Sequence, residues 1–323
     1  MMEHVVDPLA GQRSVWREQS ETIGFIVMVV ALAVSPFLTY PLFLMQALCF
    51  ALFACAFNLL IGYVGLLSFG HALYFGWASY IAAHAAKVWG LSPELAILTG
   101  TLVATVCGVI AGSLAIRRQG IYFAMITLAL AQMMYFVAVR AKFTGGEDGI
   151  QAVPRGHLFG LIDLRDEGTM YVLVLVIFLA GFLLIYRIIH SPFGEVLKAI
   201  RENETRAISL GYKTDRYKLM AFVLSAMLAG VAGSTKAIVV GIASLTDVNW
   251  PMSGEVVLMA LVGGLGTIFG PVVGSFVILT LQYKLAFLGE WVLVIQGVIF
   301  VICVLLFRRG LIGELANWLK IKL

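Results

Sequence analysis

The sequence is short of charge. Only 12% of its 323 residues are Asp, Glu, Lys or Arg, against about 25% in a soluble domain. Between Thr22 and Ala86 there is none at all, so this chain cannot face water on every side. Cysteine is scarce too. Cys49, Cys55, Cys107 and Cys303 all lie within apolar runs, where a thiol behaves as a small hydrophobe, so no disulfide, metal site or nucleophile is read from them.

Signatures of chemistry are missing as well. There is no G-x-x-x-x-G-K-[ST] phosphate loop and no Gly-Lys pair of any kind. There is no H-E-x-x-H, no Asp-rich metal motif and no Gly-x-Ser-x-Gly elbow. The chain is therefore expected to be no enzyme and to hold neither cofactor nor metal; if ATP drives it, another chain hydrolyses the ATP. The net charge of +4 is spread among loops, which gives no reason to expect a nucleic-acid partner. The first 21 residues mix acids with bases and lack the cationic start and small-residue cleavage site of a signal peptide.

What is present is apolar sequence, 61% of the chain. A helix that crosses the hydrocarbon core needs ~20 apolar residues. Ten such segments can be drawn, near 22–39, 42–62, 68–86, 95–116, 120–139, 170–189, 218–241, 253–265, 267–286 and 289–307. The runs are continuous rather than alternating, which argues against a transmembrane barrel. The expected fold is an all-α polytopic membrane protein of about ten transmembrane or re-entrant segments embedded in the lipid bilayer. The eighth segment is short and joins the ninth through glycine, so it reads as a half-helix or a re-entrant piece.

Basic residues collect on the cytoplasmic side of membrane proteins. With the N-terminus inside, fifteen of the 22 Lys and Arg residues fall on the inner side. The N- and C-termini then come out cytoplasmic, as tails at 1–21 and 310–323 around a membrane domain at 22–309. The long loop at 190–217 lies inside, and the connection at 140–169 outside. Lys236, Glu255, Lys284 and Glu290 fall toward outer helix ends, where a long side chain reaches the interface, so no mid-span carboxylate or lysine is expected. In the outer connection, Glu147, Asp148 and His157 are possible ligands, but a lid or plain linker is favoured. Its apolar patch, Leu158–Leu164, would cap the outer mouth.

Polar residues inside apolar runs must face another helix or a wet cavity. They are Asn58, His71, Thr127, Gln132, Ser225, Gln282 and Gln296. Interhelical hydrogen bonding is the favoured role. Asn58, His71, Gln132 and Gln282 are kept as candidates for a pathway, and His71 is placed near the cytoplasmic face. A glycine cluster, Gly263, Gly264, Gly266, Gly270 and Gly274 with Pro271, puts Gly266, Gly270 and Gly274 at a spacing of four, on one face of a helix. That suits close helix packing or, less favoured, a flexible pivot. The stretches GYVGLLSFGHALYFG (62–76) and GGLGTIFGPVVG (263–274) resemble each other and suggest a weak parallel repeat.

The polar exception is the loop RIIHSPFGEVLKAIRENETRAISLGYKTDRYK, 187–218. Ser191-Pro192 reads as an N-cap with proline at the first helical position. One helix is expected from Glu195 to about Leu210, ended by Gly211, with Lys198–Glu202 and Glu202–Arg206 pairs at i,i+4. Such a helix lies on lipid, serves as a linker, or docks into a partner.

The stretch SPFGEVLKAIRENETRAISLGYKTDRYKLMAFVLSAMLAGVAGS resembles the cytoplasmic loop and following helix of branched-chain amino-acid ABC transporter permeases, most closely the LivM-type subunit. TGGEDGI (144–150), GYVGLLSFGHALYFG and GGLGTIFGPVVGS (263–275) are similar to the same family, so the resemblance runs from about Asn58 to Arg309. It implies a prokaryotic inner-membrane permease that moves branched-chain or related amino acids. It also implies a second permease subunit, two cytoplasmic ATP-binding subunits and an extracytoplasmic binding protein. Glu195, Lys198, Arg201, Glu202, Asn203, Glu204, Arg206 and Gly211 would then carry the coupling to the ATPase. The competing expectation is an ion-coupled secondary transporter.

Overall fold

The computed structural model of the protein describes residues 9–289, 291–306 and 310–318. Glu290, Arg308, Arg309, Lys320 and Lys322, used above in placing charge, lie outside the described residues, as do the side chains of Arg13, Arg17 and Cys303.

The described chain is helical almost throughout. α1 (Leu9–Val34), α2 (Pro41–Asn58), α3 (His71–Lys87), α4 (Pro93–Ala115), α5 (Ile121–Arg140) and α6 (Glu167–Ile189) precede the charged loop. That loop forms α7 (Pro192–Glu202) and α8 (Glu204–Ser209). α9 (Thr214–Val240), α10 (Leu245–Val248), α11 (Trp250–Gly263), α12 (Gly270–Leu285), α13 (Trp291–Leu306) and α14 (Gly310–Trp318) follow. Among the described residues, five helices are long and apolar enough to cross a membrane: Pro41–Val64, α4, α5, α6 and α9. The protein is an all-α polytopic membrane protein.

α2 occupies the centre. Every residue from Ala47 to Asn58 is buried, and the helix packs on α6, α9, α11 and α12. Around it, α3, α4 and α9 close on one another through small residues. Gly108 lies against Ala226, Gly112 against Phe222, and Gly230 against Ala104. Removing side chains at these points lets helix backbones approach closely, which in lipid replaces a hydrophobic driving force. Outward faces are uniformly apolar, with Leu98 and Leu102 on α4, Met125 and Phe136 on α5, and Val172 and Val176 on α6 all exposed.

Several sequence expectations need correction. The expected segment 42–62 is present as one span, Pro41–Val64, but its last part is not α-helical: α2 opens into a π-helical turn, Leu59–Val64, closed by Gly65 at φ +82°. α1 begins at Leu9, so helix reaches well into the expected tail. Gly266 is not helical: it sits at φ +75° in the link before α12, leaving only Gly270 and Gly274 of the predicted face on that helix. The Leu158–Leu164 patch is not a continuous apolar surface. It forms a two-residue hairpin, His157–Leu158 with Ile162–Asp163, whose tip exposes Phe159 and Leu161, and only Leu164 turns fully inward.

The eighth predicted segment is a half-helix. α11 has 14 residues, about 21 Å at 1.5 Å per residue, too short to cross alone. α10 precedes it and packs within the length of α3, where Val248 lies against Gly76. Asn249 breaks the two pieces, and its side chain accepts from the Trp250 amide at 2.9 Å. The 140–169 connection is tied to the start of this unit: Ile150 pairs with Ala243 as an antiparallel bridge, and the Val153 amide donates to Gly241 O.

α11 and α12 form the tightest hairpin. A Cβ on Gly274 would overlap the carbonyl oxygen of Met259, and one on Gly263 would overlap that of Gly270. Gly254, on the same α11, has open space. Gly274→Ala should therefore cost about 1–3 kcal/mol through forced backbone displacement, whereas Gly254→Ala should be neutral or slightly stabilising. Thermal unfolding of the purified chain in detergent reads the contrast; equal midpoints for the two variants would contradict it.

Candidate functional site

Two polar assemblies stand out in this apolar bundle. The first lies at the end that carries the charged loop. Where α2 gives way to its π-helical turn, the Asn58 side chain donates to Thr267 O at 2.9 Å and accepts from the Gly266 amide at 3.0 Å. One amide thus satisfies both a donor and an acceptor of the irregular α11–α12 link. Gly62 packs against Gly266 with no room for a side chain between them. The Gly62 carbonyl accepts from Nη1 of Arg201 on α7, whose stem also lies on Gly65. The two glycine-rich stretches are therefore brought together in space, and Arg201 clamps them.

α7 is capped as the sequence predicts: Ser191 Oγ accepts from the Gly194 amide at 3.3 Å, with Pro192 at the first position. The expected single helix from Glu195 to Leu210 is instead two. Asn203 turns to φ −159°, ψ 98°, and its side chain caps α8 by accepting from the Arg206 amide at 3.0 Å. That break places Glu202 and Arg206, one of the predicted i,i+4 pairs, on different helices. Lys198 pairs with Glu195 at 2.7 Å rather than with Glu202. Glu204 turns inward, to the buried Lys218 on α9 and to Gln119 Nε2 at 2.9 Å. Gly211, at φ +89°, reverses the chain into α9. Exposed on the loop are Glu202, Arg206 and an apolar tip of Ile208 and Leu210, 55% and 70% accessible. Between the loop and the links runs a cleft of about 550 Å3, lined by Tyr63, Glu195, Lys198, Arg201, Glu202 and Thr267.

The second assembly is internal. Lys236 Nζ, on α9, contacts both carboxylate oxygens of Asp247, on α10, at 2.7 and 2.8 Å, and both residues are buried. Lys236 therefore does not reach for the interface, as its place near an outer helix end suggested; it holds α10 against α9. A buried carboxylate was not expected from the sequence; the available signal was the capping box Ser244-x-x-Asp247, whose aspartate accepts from the Ser244 amide at the start of α10. His71 is likewise not near a solvated face. It is fully buried among Phe53, Phe57, Tyr74 and Phe222. Ser225 Oγ gives its proton to Ala56 O, so the 2.8 Å contact with Nε2 has His71 as donor. Thr127 accepts from the Phe69 amide and donates to Ala124 O. Gln132 stands apart, half-buried on α5. Gln296 on α13 is buried. Gln282 donates to Glu255 between α12 and α11, beside a small cavity.

In the 140–169 connection, His157 faces Asp163 at 3.8 Å across the hairpin, both half-exposed. Glu147 and Asp148 lie in a single 3-10 turn between left-handed glycines. Asp166 caps α6 by accepting from the Thr169 amide and hydroxyl, which hold its carboxyl below the usual range. Among the described residues, no group of three or more His, Cys, Asp and Glu side chains converges as a metal site would require.

A helical bundle with a half-helix, glycine-packed links and a charged loop clamped beneath them is the frame of a membrane permease. Residues 40–304 match the family described as branched-chain amino acid transport system, permease component, and the chain belongs to that family. It is 26% identical over 288 residues to the high-affinity branched-chain amino acid transport system permease protein LivM of Salmonella typhimurium, covering 82% of this chain and 68% of that one. LivM of Escherichia coli K12 matches with the same identity and coverage. The ribose import permease protein RbsC of Bacillus subtilis is 28% identical over 245 residues, 69% of this chain and 70% of its own. No solved structure matches the chain. Family membership answers the choice left open by the sequence: the chain is an ABC permease subunit, not an ion-coupled carrier.

The Lys236–Asp247 pair has a measurable consequence. Removing one member of a buried pair strands the other, at about 3–5 kcal/mol. Asp247→Ala should lower the unfolding midpoint sharply, and adding Lys236→Met should restore most of the loss. A double variant as unstable as the single would show that the pair is not what holds α10 in place.

Proposed function

We propose that this protein is the permease half of an importer for branched-chain or related amino acids in the inner membrane of a prokaryote. The observation that carries the cargo is the 26% identity to LivM across 82% of the chain. A second, similar permease completes the pathway, an extracytoplasmic binding protein delivers the solute, and two cytoplasmic ATP-binding subunits supply the work. The charged loop then faces the cytoplasm, as the distribution of bases favours.

In this reading the loop couples the two halves by division of labour. Arg201, clamped on Gly62, and Glu204, paired with Lys218, tie the loop to the membrane helices. Glu202, Arg206, Ile208 and Leu210 face outward and meet the ATPase. A docking patch with an apolar centre and charged rim suits a specific interface. A push on α8 is passed through Lys218 into α9, and through Arg201 into the two glycine-rich links, with no long flexible segment between.

Both parts can be tested in one preparation. The complex copurified from the host membrane, reconstituted in vesicles, should take up leucine, isoleucine or valine in competition with one another and ignore ribose. Uptake of ribose alone would sink the cargo reading. Ile208→Asp with Leu210→Asp should cut recovery of the ATP-binding subunits at least tenfold while the permease's own unfolding midpoint is unchanged. Undiminished recovery would remove the loop tip from the interface.

A further inference from the structure

Between their ends, the large exposed side chains of α4, α5 and α6 are apolar, with Gln132 half-buried on α5. One face gathers more polar groups. Where α2, α11 and α12 meet, Gln46 and Gln282 lie half-buried around a cavity of about 240 Å3. Its lining is Phe43, Gln46, Leu279, Gln282 and Tyr283. Gln282 Nε2 donates to Glu255 Oε1, so the half-buried carboxylate stands behind the lining, one hydrogen bond from the cavity. Gln46 has no hydrogen-bond partner among the described residues. The rings of Phe43 and Tyr283 stand 5.4 Å apart, tilted by 49°, and form an aromatic wall beside these groups.

Two glutamines and the carboxylate behind them would be a costly group if this opening faced hydrocarbon. A wet chamber, or a polar ligand within it, removes that cost. The chemistry of the lining and of the carboxylate behind it says which ligand. A carboxylate attracts a cation, a glutamine oxygen accepts from an N–H, and the faces of Phe and Tyr attract an ammonium within about 6 Å. No Lys or Arg lines the cavity to take that place. The volume admits a small solute rather than a peptide, since drug-sized pockets start near 300 Å3.

We propose that this face is the solute-contacting wall of the pathway, and that Glu255, Gln282 and the Phe43–Tyr283 pair form a subsite for the protonated amine of a small zwitterionic solute. The subsite deepens the importer reading and rests on it for the amino-acid class. Glu255 supplies the charge, Gln282 positions it, and Gln46 contributes an amide from the opposite wall. Asp247 is already paired with Lys236, which leaves Glu255 as the carboxyl group available to this face.

The test uses the copurified complex in vesicles with radiolabelled leucine as probe. Glu255→Gln should raise the apparent KM for uptake at least tenfold at wild-type recovery of the complex, with Glu255→Asp recovering a substantial part. Wild-type kinetics in Glu255→Gln would overturn the subsite. If the substitution spoils assembly, a second variant decides: Gln46→Cys, in a chain whose native cysteines are replaced by alanine. A charged, water-soluble methanethiosulfonate should modify it at least tenfold faster than Val106→Cys on the exposed face of α4, and leucine should slow that modification. Equal rates at the two positions would place Gln46 in lipid and end the proposal. Absence of leucine uptake by the wild-type complex is a separate result, against the importer reading, and the labelling comparison still judges the wall.

Discussion

Two hydrogen bonds from one side chain allow this bundle to contain a non-helical link. Backbone that leaves the helical ladder at membrane depth has to find partners inside the protein. The α11–α12 link leaves it at Gly264, and Asn58 gives it an acceptor for Gly266 and a donor for Thr267. Asn58 is available for this because α2 is the central helix and ends at that level, in a π-helical turn that frees the Gly62 carbonyl for Arg201. Substituting an apolar residue at position 58 would leave both link groups without partners, and the clamp above α7 would lose its floor.

The same junction explains why glycine recurs in two distant stretches. Gly62 and Gly266 touch, and Gly65 makes room for the Arg201 stem. The likeness between the stretches need not reflect only shared ancestry; each has to let another backbone come within contact distance. Elsewhere glycine does the plainer task of packing α4 on α9 and α11 on α12.

Much of this was legible in the sequence, and what was not has a common cause. Ten of the helices follow from runs of apolar residues, though α10, α14 and the division into α7 and α8 do not, and the Ser191-Pro192 cap and the Gly211 reversal follow from local backbone chemistry. Those are properties of a few neighbouring residues. The break at Asn203 was missed because the helical charge pattern continues through it, while the asparagine cap competes with it locally. The direction of Glu204 depends on Lys218 and on Gln119, which reaches it from the α4–α5 turn. Lys236 was read as an interfacial lysine because its depth was judged from its own helix end, whereas its partner lies on the next element. Glu255 and Gln282 lie 27 positions apart and meet only once the α11–α12 hairpin has closed.

The ion pair between α9 and α10 also bears on how the chain enters the membrane at all. A lone lysine near the centre of an inserting helix costs about 2.5–3.5 kcal/mol on insertion scales, and a lone aspartate a similar amount. Here the two charges are 11 residues apart, on consecutive elements joined by a tight left-handed turn at Gly241. They can close on each other within a single hairpin, before α2 or α12 is in place. Within the segment from Thr214 to Gly263 these two charges can neutralise each other, and biogenesis need not wait for the finished bundle to hide either of them.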